Sequence, residues 1–118
     1  MSRDVKQLKV WQRAIELCED VYGCTARFPA AERLGLSAQM RRAAASMPSN
    51  LAEGYGRGSR KDYRHFACIA RGSAGELETQ AIIASRIGFI APQDSHRLVS
   101  SIREVVRMLD GLVRALEP

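Results

Sequence analysis

Arginine and lysine residues recur in this chain at a spacing that would allow them to bind an anion together. Five of them follow one another near the middle of the chain: Arg57, Arg60, Lys61, Arg64 and Arg71. Arg60, Arg64 and Arg71 are separated by four and seven residues, so in a helix they lie on roughly one face. Because guanidinium groups bind phosphate bidentately, such a row could follow a nucleic-acid backbone. We therefore predict that these five residues bind RNA or DNA, reading its shape more than its sequence.

The net charge of the chain, +5, is concentrated in the same region. Residues 36–72 hold seven Lys/Arg against two carboxylates, whereas the remainder of the chain holds eleven of each. A basic patch of this kind is the electrostatic footprint of a polyanionic partner. A solvated helix face that keeps the protein soluble would have the same composition, so both interpretations stay open at this point. Tyr55 is the one aromatic residue near enough to stack on a base.

A second set of polar residues precedes the basic patch and recurs every three or four positions. Its members are Arg42, Ser46, Asn50 and Glu53. That spacing places them on one stripe of a helix. We predict that this stripe forms a structural polar network, in which Arg42, Asn50 and Glu53 satisfy one another or a group on the next helix such as Glu78. A buried network of this kind fixes helix register or subunit pairing.

Catalytic and metal-binding patterns are not found in the sequence. His65 and Cys68 could place two ligands on one helix face, but a zinc site needs three or four. Glu76 and Glu78 are two residues apart and point to different faces, so they do not form an acid/base pair. The glycine-rich run 54–58 lacks both the preceding strand of a dinucleotide fingerprint and the Gly-Lys-Ser/Thr of a phosphate loop. We predict a protein that is not an enzyme and carries no metal or cofactor.

The composition is that of one soluble globular domain covering residues 1–118, with 46% hydrophobic and 26% charged residues. No apolar run approaches the roughly 18 residues of a membrane span, and the first residues show no signal-peptide pattern. We therefore expect a cytoplasmic protein without a membrane partner. Cys18, Cys24 and Cys68 form no Cys-x-x-Cys pair and are odd in number, which predicts reduced, mostly buried thiols.

Apolar residues recur at helical spacing in four segments, and no alternating apolar run indicates a strand. The predicted helices span about residues 6–27, 36–56, 59–88 and 93–116. The first helix shows a seam of apolar residues predicted to face a partner helix: Leu8, Trp11, Ile15, Cys18 and Tyr22. Pro48 is predicted to kink the second helix without ending it, because the apolar spacing continues in phase. Ser59 is placed to cap the third helix. Four helices with short loops predict an all-α, up-down-up-down antiparallel four-helix bundle.

Several segments of the chain carry a resemblance to one protein family. They are Ala14-Ile15-Glu16-Leu17, Phe28-Pro29, Gln39-x-Arg41-Arg42-Ala43, the run from Ser46 to Gly54 (SMPSNLAEG), and Gly72-Ser73 with Glu76-Leu77-Glu78-Thr79-Gln80. The chain resembles the bacterial four-helix-bundle proteins encoded in intervening sequences of large-subunit ribosomal RNA genes. That family includes the accessory variability determinant of diversity-generating retroelements. The resemblance covers about residues 8–90 and is most specific between Pro48 and Gly54.

The resemblance implies a homopentameric, barrel-like ring of four-helix bundles without known enzymatic activity. In the retroelement branch it implies that a basic barrel binds nucleic acid and a reverse transcriptase. Two functions follow as expectations. The first is an oligomeric bundle that binds RNA or DNA through the basic patch. The second is an oligomeric scaffold or adaptor for a protein partner, which would use the alanine-rich face at Ala43–Ala45 and would not bind nucleic acid.

Overall fold

The computed structural model describes residues 4–118, and within that range four α-helices and no β-strand are found. The helices are α1 (Lys9–Thr25), α2 (Leu36–Gly56), α3 (Arg60–Arg86) and α4 (Pro92–Ala115). Short 3-10 turns, Val5–Gln7 and Ala30–Glu32, precede α1 and α2. The molecule measures 44 × 22 × 20 Å. The predicted all-α fold class is confirmed. In the part of the chain that is described, no helix is long and apolar enough to cross a membrane.

Each helix packs against the next one along the chain, and α1 also packs against α4, which closes the bundle around one core. The largest fully buried side chains come from all four helices: Leu17, Val21, Met40, Met47, Leu51, Leu77, Ile102, Val105 and Leu109. α3 contributes mostly alanines to this core, namely Ala67, Ala70, Ala74, Ala81 and Ala84. Because alanine is small, the backbone of α3 can approach its neighbours closely, and the contact of α3 with α2 is the most extensive in the bundle.

The ends of the helices differ from the predicted ends by up to three residues. α1 begins at Lys9 because Val5–Gln7 forms a separate turn, in which the Asp4 carboxylate accepts a hydrogen bond from the Lys6 amide at 2.9 Å. α3 ends at Arg86, and Gly88, with a φ of +86°, redirects the chain. That backbone conformation is accessible to glycine at little cost, so the turn between α3 and α4 has a local cause.

The apolar seam predicted for α1 lies beside the core and not within it. The buried row of α1 is Val10, Ala14, Leu17 and Val21. Trp11 and Cys18 of the predicted seam are half-buried, and Tyr22 is 47% exposed. The two rows are offset by one residue, or about 100° around the helix. The predicted seam therefore lies one residue away from the fully buried row, and it faces α2, since Tyr22 contacts Arg41 of that helix.

α2 continues through Pro48, as the sequence predicts. The proline ring removes the amide donor that would bond to the carbonyl of Ala44. Near the end of the helix, α2 approaches α3 most closely at Gly54, where an added Cβ would lie 2.7 Å from Phe66 Cβ and 3.2 Å from Tyr63 Cα. Glycine is therefore the residue that lets the two helices meet at this level.

The chain leaves α2 through a short turn that sets the start of α3. Gly58 has a φ of +82°, which permits a sharp reversal. The Ser59 hydroxyl then accepts a hydrogen bond from the Asp62 amide at 3.0 Å. This confirms the predicted cap, which satisfies one of the amides that the first turn of a helix leaves without a partner.

The three cysteines are free thiols, and they differ in exposure. Cys18 and Cys24 are half-buried, and burial raises the pKa of both thiols. Cys68 is exposed on α3. The prediction of mostly buried thiols is therefore wrong for Cys68, because this residue lies on the outward side of its helix, about 100° away from the buried Ala67.

Candidate nucleic-acid interface

The first cations of the predicted patch lie at the start of α3, beside the end of α4. Arg60 Nη2 donates a hydrogen bond to the carbonyl oxygen of Ala115 at 2.8 Å. One turn later, Arg64 Nη2 lies 3.8 Å from Glu117 Oε1. Both arginines therefore connect α3 to the end of α4, and they hold their charged groups along the seam between the two helices.

Further along the same seam, two ion pairs continue the connection between α3 and α4. Arg71 Nε lies 2.6 Å from Asp110 Oδ1, in an orientation that makes an ion pair and not an aligned hydrogen bond. Arg103 Nη2 lies 3.4 Å from Glu78 Oε2. The seam is therefore a ladder of charged groups in which each helix supplies both signs. All these side chains remain partly exposed to solvent.

Two members of the predicted patch lie outside this ladder. Arg57 follows the last residue of α2, where it pairs with Glu53 at 2.7 Å and lies 5.1 Å from the Phe66 ring centroid. The hydrogen bond to Glu53 raises the pKa of Arg57, so its charge is retained at any ordinary pH. Lys61 is exposed at the start of α3, and no residue within 4–118 forms an ion pair with it.

α4 supplies cations that the sequence analysis did not include. Arg103, Arg107 and Arg114 are separated by four and seven residues, so they share a stripe with Asp110, which contacts α3. Arg107 and Arg114 are exposed and make no ion pair with any residue in the described range. Their spacing is the one that identified the row on α3. The cations of α4 were not identified from the sequence because charge was counted by segment. Outside residues 36–72 the eleven Lys/Arg residues are balanced by eleven carboxylates, so that part of the chain has no net charge.

We define the α3–α4 basic face as the cations along this seam: Arg60, Lys61, Arg64, Arg71, Arg103, Arg107 and Arg114. Three carboxylates lie on the same face, those of Glu78, Asp110 and Glu117. Seven cations and three carboxylates give the face a net charge of +4. Of the five residues predicted to bind nucleic acid, four therefore share one surface, and Arg57 lies apart from them, on the α2 side of α3.

An open cavity of about 570 Å³ lies at the end of the basic face where α3 begins. Its lining residues are Arg60, Lys61, Arg64, His65, Cys68, Leu116 and Pro118. Most of the surface inside it is apolar, while the cations stand at its edge. The Nε atom of Arg64 is buried and has no hydrogen-bond acceptor among residues 4–118. This arrangement suits a ligand that offers a phosphate next to a flat, less polar group.

Tyr55 lines an open cavity of about 290 Å³ together with Arg60 and Tyr63. Its ring contacts Tyr63 edge to face, with 5.4 Å between the ring centroids. Both side chains are half-buried between α2 and α3, and burial raises the pKa of the Tyr63 hydroxyl. The pair lies next to the contact at Gly54 and contributes to the packing of these two helices.

Part of the predicted polar network is formed. Ser46 Oγ of α2 and Ser73 Oγ of α3 are 2.8 Å apart. Asn50 Nδ2 donates to the Ser46 carbonyl oxygen at 2.8 Å and to Ser46 Oγ at 2.9 Å. These three half-buried residues connect α2 to α3, so they contribute to the register of that helix pair.

The other predicted members of the network are not brought together. Glu53 pairs with Arg57 of its own helix end, and Glu78 pairs with Arg103 of α4. The Arg42 guanidinium makes no hydrogen bond or ion pair with any residue between 4 and 118. The expectation of one network is wrong for these residues because helical spacing fixes a shared stripe but not which neighbour each long side chain reaches.

No group of three or more His, Cys, Asp or Glu residues in the described chain could hold a metal ion. His65 and Cys68, the two candidates from the sequence, lie at the basic face, where the His65 ring contacts the Phe66 ring edge to face at 5.1 Å. The groups that line this end of the basic face are mainly cations, from Arg60, Lys61 and Arg64.

Comparisons with known proteins agree with the resemblance described above. The profile of the 23S rRNA-intervening sequence protein family matches residues 6–111. A crystal structure of a protein of unknown function from the S23 ribosomal protein family, from Bacteroides thetaiotaomicron VPI-5482, superimposes with a TM-score of 0.79. The two sequences are 20% identical, and the match covers 88% of this chain and 97% of the other. At that identity the likeness shows a shared fold. No curated protein matches the chain.

Proposed function

We propose that this chain, which belongs to the family of 23S rRNA-intervening sequence proteins, is a non-enzymatic, oligomeric four-helix bundle that binds the phosphate backbone of RNA or DNA. The binding surface in this proposal is the α3–α4 basic face. The observation that carries it is the excess of cations on that face, seven against three carboxylates. Excess positive charge arranged along a seam is what a polyanion requires for sequence-independent binding.

The length of the face supports contact with several phosphates. The hydrogen bond from Arg60 to Ala115 marks one end of the seam, and the Arg103–Glu78 pair marks the other. Arg60 and Glu78 are separated by about 18 residues of α3, which corresponds to a rise of about 27 Å. Phosphates along one strand of a duplex are roughly 3.4 Å apart along the axis, so the face can reach several of them.

The ion pairs within the face do not prevent this function. Pairs between partly exposed side chains contribute only about 0–1 kcal/mol each, so a phosphate group can replace a carboxylate at small cost. Arg107, Arg114 and Lys61 need no exchange, because they are exposed and form no ion pair within the described chain. We therefore assign the first contact with nucleic acid to these three cations.

Oligomerisation completes the proposal. The resemblance to the family implies an up-down-up-down bundle that assembles into a homopentameric ring in the cytoplasm. Repeating the basic face around a ring would let one nucleic acid contact several copies, which raises apparent affinity without any new type of contact. Subunit number is tested directly by native mass spectrometry, in which the mass of the assembly is compared with the 13.1 kDa of one chain.

A scaffold for a protein partner is the alternative function, and one observation favours it. α3 exposes Ile69 and Ile83 on its outer side, and the exposed Ile87 follows directly after its last residue. Exposed large apolar side chains gathered on one element indicate a protein contact surface. The scaffold proposal expects tight self-association together with negligible affinity for nucleic acid at physiological salt.

The experiment that separates these functions reverses charges that take no part in folding. Arg107→Glu with Arg114→Glu changes the basic face, and Lys9→Glu with Arg33→Glu is the matched control elsewhere on the surface. All four side chains are exposed and unpaired within residues 4–118, so both variants lower the net charge equally. The proposal predicts that affinity for a structured RNA falls by about 10- to 100-fold in the first variant and much less in the control. Equal losses in the two variants would overturn the assignment of the face.

A further inference from the structure

An open groove between α2 and α3 contains a polar group without a hydrogen-bond partner. The groove has a volume of about 560 Å³ and is lined by Gln39, Arg42, Glu76, Thr79 and Gln80. Gln80 is only 8% exposed, and its Oε1 atom has no donor among residues 4–118. Leaving a buried carbonyl oxygen unpaired costs free energy, so a donor from outside the described chain would stabilise this site.

The charges at the groove are also unpaired. Neither the Arg42 guanidinium nor the Glu76 carboxylate forms an ion pair within the described chain. One cation and one carboxylate leave the groove neutral. A neutral groove does not suit a nucleic acid, which requires an excess of positive charge.

Isoleucines extend the same surface along α3. Ile69 and Ile83 are each seven residues from Glu76, so all three lie on one stripe of the helix. Both isoleucines are exposed, as is Ile87 one turn further on. We call this surface, the groove together with these three isoleucines, the α2–α3 face. It combines apolar side chains with a few polar groups that converge on its centre, which is the composition of a protein contact.

A second apolar surface with complementary groups lies on the next side of the bundle. It is the row on α1 that is excluded from the core, formed by Trp11, Ile15, Cys18 and Tyr22. Tyr22 faces α2, because Arg41 of α2 lies 4.6 Å from its ring centroid. Glu19 lies at the edge of this row, where it also lines the open cavity between α1 and α4, and it is exposed without an ion pair among residues 4–118. The row therefore offers apolar surface, the Glu19 carboxylate for Arg42 and hydrogen-bond donors from Trp11 and Tyr22, and the Arg41 cation lies on the same surface over the Tyr22 ring.

We infer that the α2–α3 face binds the α1 row of a second copy of this chain, with Arg42 pairing with Glu19 of that copy. The chain itself carries both surfaces, and they are complementary in charge and in hydrogen-bonding groups. The inference rests on the oligomeric part of the proposed function and names its interface. It does not depend on the α3–α4 basic face, which this contact leaves exposed.

The geometry of the bundle agrees with a closed assembly. The α1–α2 and α2–α3 sides are adjacent sides of a four-helix bundle, so they meet at about 90°. A head-to-tail contact between two different surfaces generates a ring when the rotation closes, and adjacent sides at about 90° close after about four copies. In such a ring α2 faces the centre, and α4 with the basic face lies on the outside.

The size of the α2–α3 face is sufficient for a stable contact. From Ile69 to Ile87 the helix rises about 27 Å, and two helices side by side are about 20 Å wide. The projected area is then about 540 Å², and the relief of the side chains increases it. A standard interface removes about 800 Å² of accessible surface from each partner, so the two values are comparable.

A charge exchange tests the pairing directly. Native mass spectrometry and sedimentation velocity measure assembly for Arg42→Glu, for Glu19→Arg and for the double variant. We expect each single variant to raise the apparent dissociation constant of assembly by about 10- to 100-fold, and the double variant to recover most of the loss. Assembly equal to wild type in the single variants would overturn the inference, and so would a failure of the double variant to recover.

A matched pair of isoleucine variants tests the surface independently of the charges. Ile83→Glu places a charge on the α2–α3 face, while Ile82→Glu places it about 100° away, towards α4. The two side chains are 46% and 37% exposed, so neither change should prevent folding, which circular dichroism checks. We expect Ile83→Glu alone to dissociate the assembly, and equal effects of both variants would contradict the assignment. A titration of the dissociated variant with RNA separates failure of this interface from failure of the basic face.

Discussion

The close approach of α2 and α3 at Gly54 leads to a prediction whose size can be worked out from the structure. In Gly54→Ala the new Cβ would lie 2.7 Å from Phe66 Cβ, 3.2 Å from Tyr63 Cα and 3.3 Å from the Tyr63 carbonyl oxygen. These atoms belong to the backbone of α3 or are attached to it, so no side-chain rotation removes the overlap. The helices must separate, and overpacking of this kind costs about 1–3 kcal/mol.

The intrinsic effect of the same substitution has the opposite sign. Alanine in a helix interior is favoured over glycine by about 1 kcal/mol. With the overlap at the upper end of its range, the net change in the free energy of unfolding is a loss of about 2 kcal/mol. For a chain of 118 residues this corresponds to a fall in Tm of about 8 °C.

Gly23→Ala is the matched control, because Gly23 also lies within a helix and an added Cβ would have no neighbour within 4 Å. Only the propensity term then applies, so Tm should rise by about 2–4 °C. Both variants are measured by thermal and urea unfolding, followed by circular dichroism. All measurements use one protein concentration, because assembly affects Tm. If Gly54→Ala stabilises the protein as Gly23→Ala does, the argument that glycine sets the spacing of α2 and α3 is wrong.

Two further predictions concern the cysteines and the cap of α3. At pH 8 a thiol reagent should modify the exposed Cys68 first. Cys18 and Cys24 should react at least about tenfold more slowly, because burial raises the pKa of both thiols and so lowers the fraction present as thiolate. The reaction rates of these two thiols should keep increasing above about pH 9. Comparable rates for all three in native protein, measured by mass spectrometry of labelled peptides, would contradict the burial of the two on α1. Ser59→Ala should lower the free energy of unfolding by about 1 kcal/mol, because the helix cap is lost. Ser100→Ala, on the exposed side of α4, is the control and should change the free energy of unfolding by less than about 0.5 kcal/mol in the same urea experiment.

Features set by local chemistry could be predicted from the sequence. The four helices follow from apolar residues at helical spacing, and the start of α3 follows from the side chain of Ser59 and the glycine before it. The continuation of α2 through Pro48 could also be predicted, because the apolar residues on both sides stay in phase. Each of these depends on residues within a few positions of one another, so the information is present in the sequence itself.

Features set by contacts between helices could not be predicted in the same way. α1 has two apolar rows, and only the position of α2 and α4 decides that Val21 is buried while Tyr22 is exposed. Similarly, Glu78 could have paired with Arg42 of α2, and it pairs with Arg103 because it lies on the α4 side of its helix. The basic face was only partly predicted, since joining the cations of α3 and α4 requires knowing which sides of the two helices meet.

Binding of nucleic acid by the α3–α4 basic face can be measured by titrating the wild-type protein with a labelled structured RNA and with single-stranded DNA at several salt concentrations. For a face with a net charge of +4 we expect dissociation constants in the micromolar range or below at modest salt. The logarithm of the binding constant should fall against the logarithm of salt concentration with a slope of about −3 to −4, because each of about four neutralised phosphates contributes about 0.7–0.9. Absence of binding at about 50 mM salt, or an affinity independent of salt, would contradict the proposal that this face binds nucleic acid.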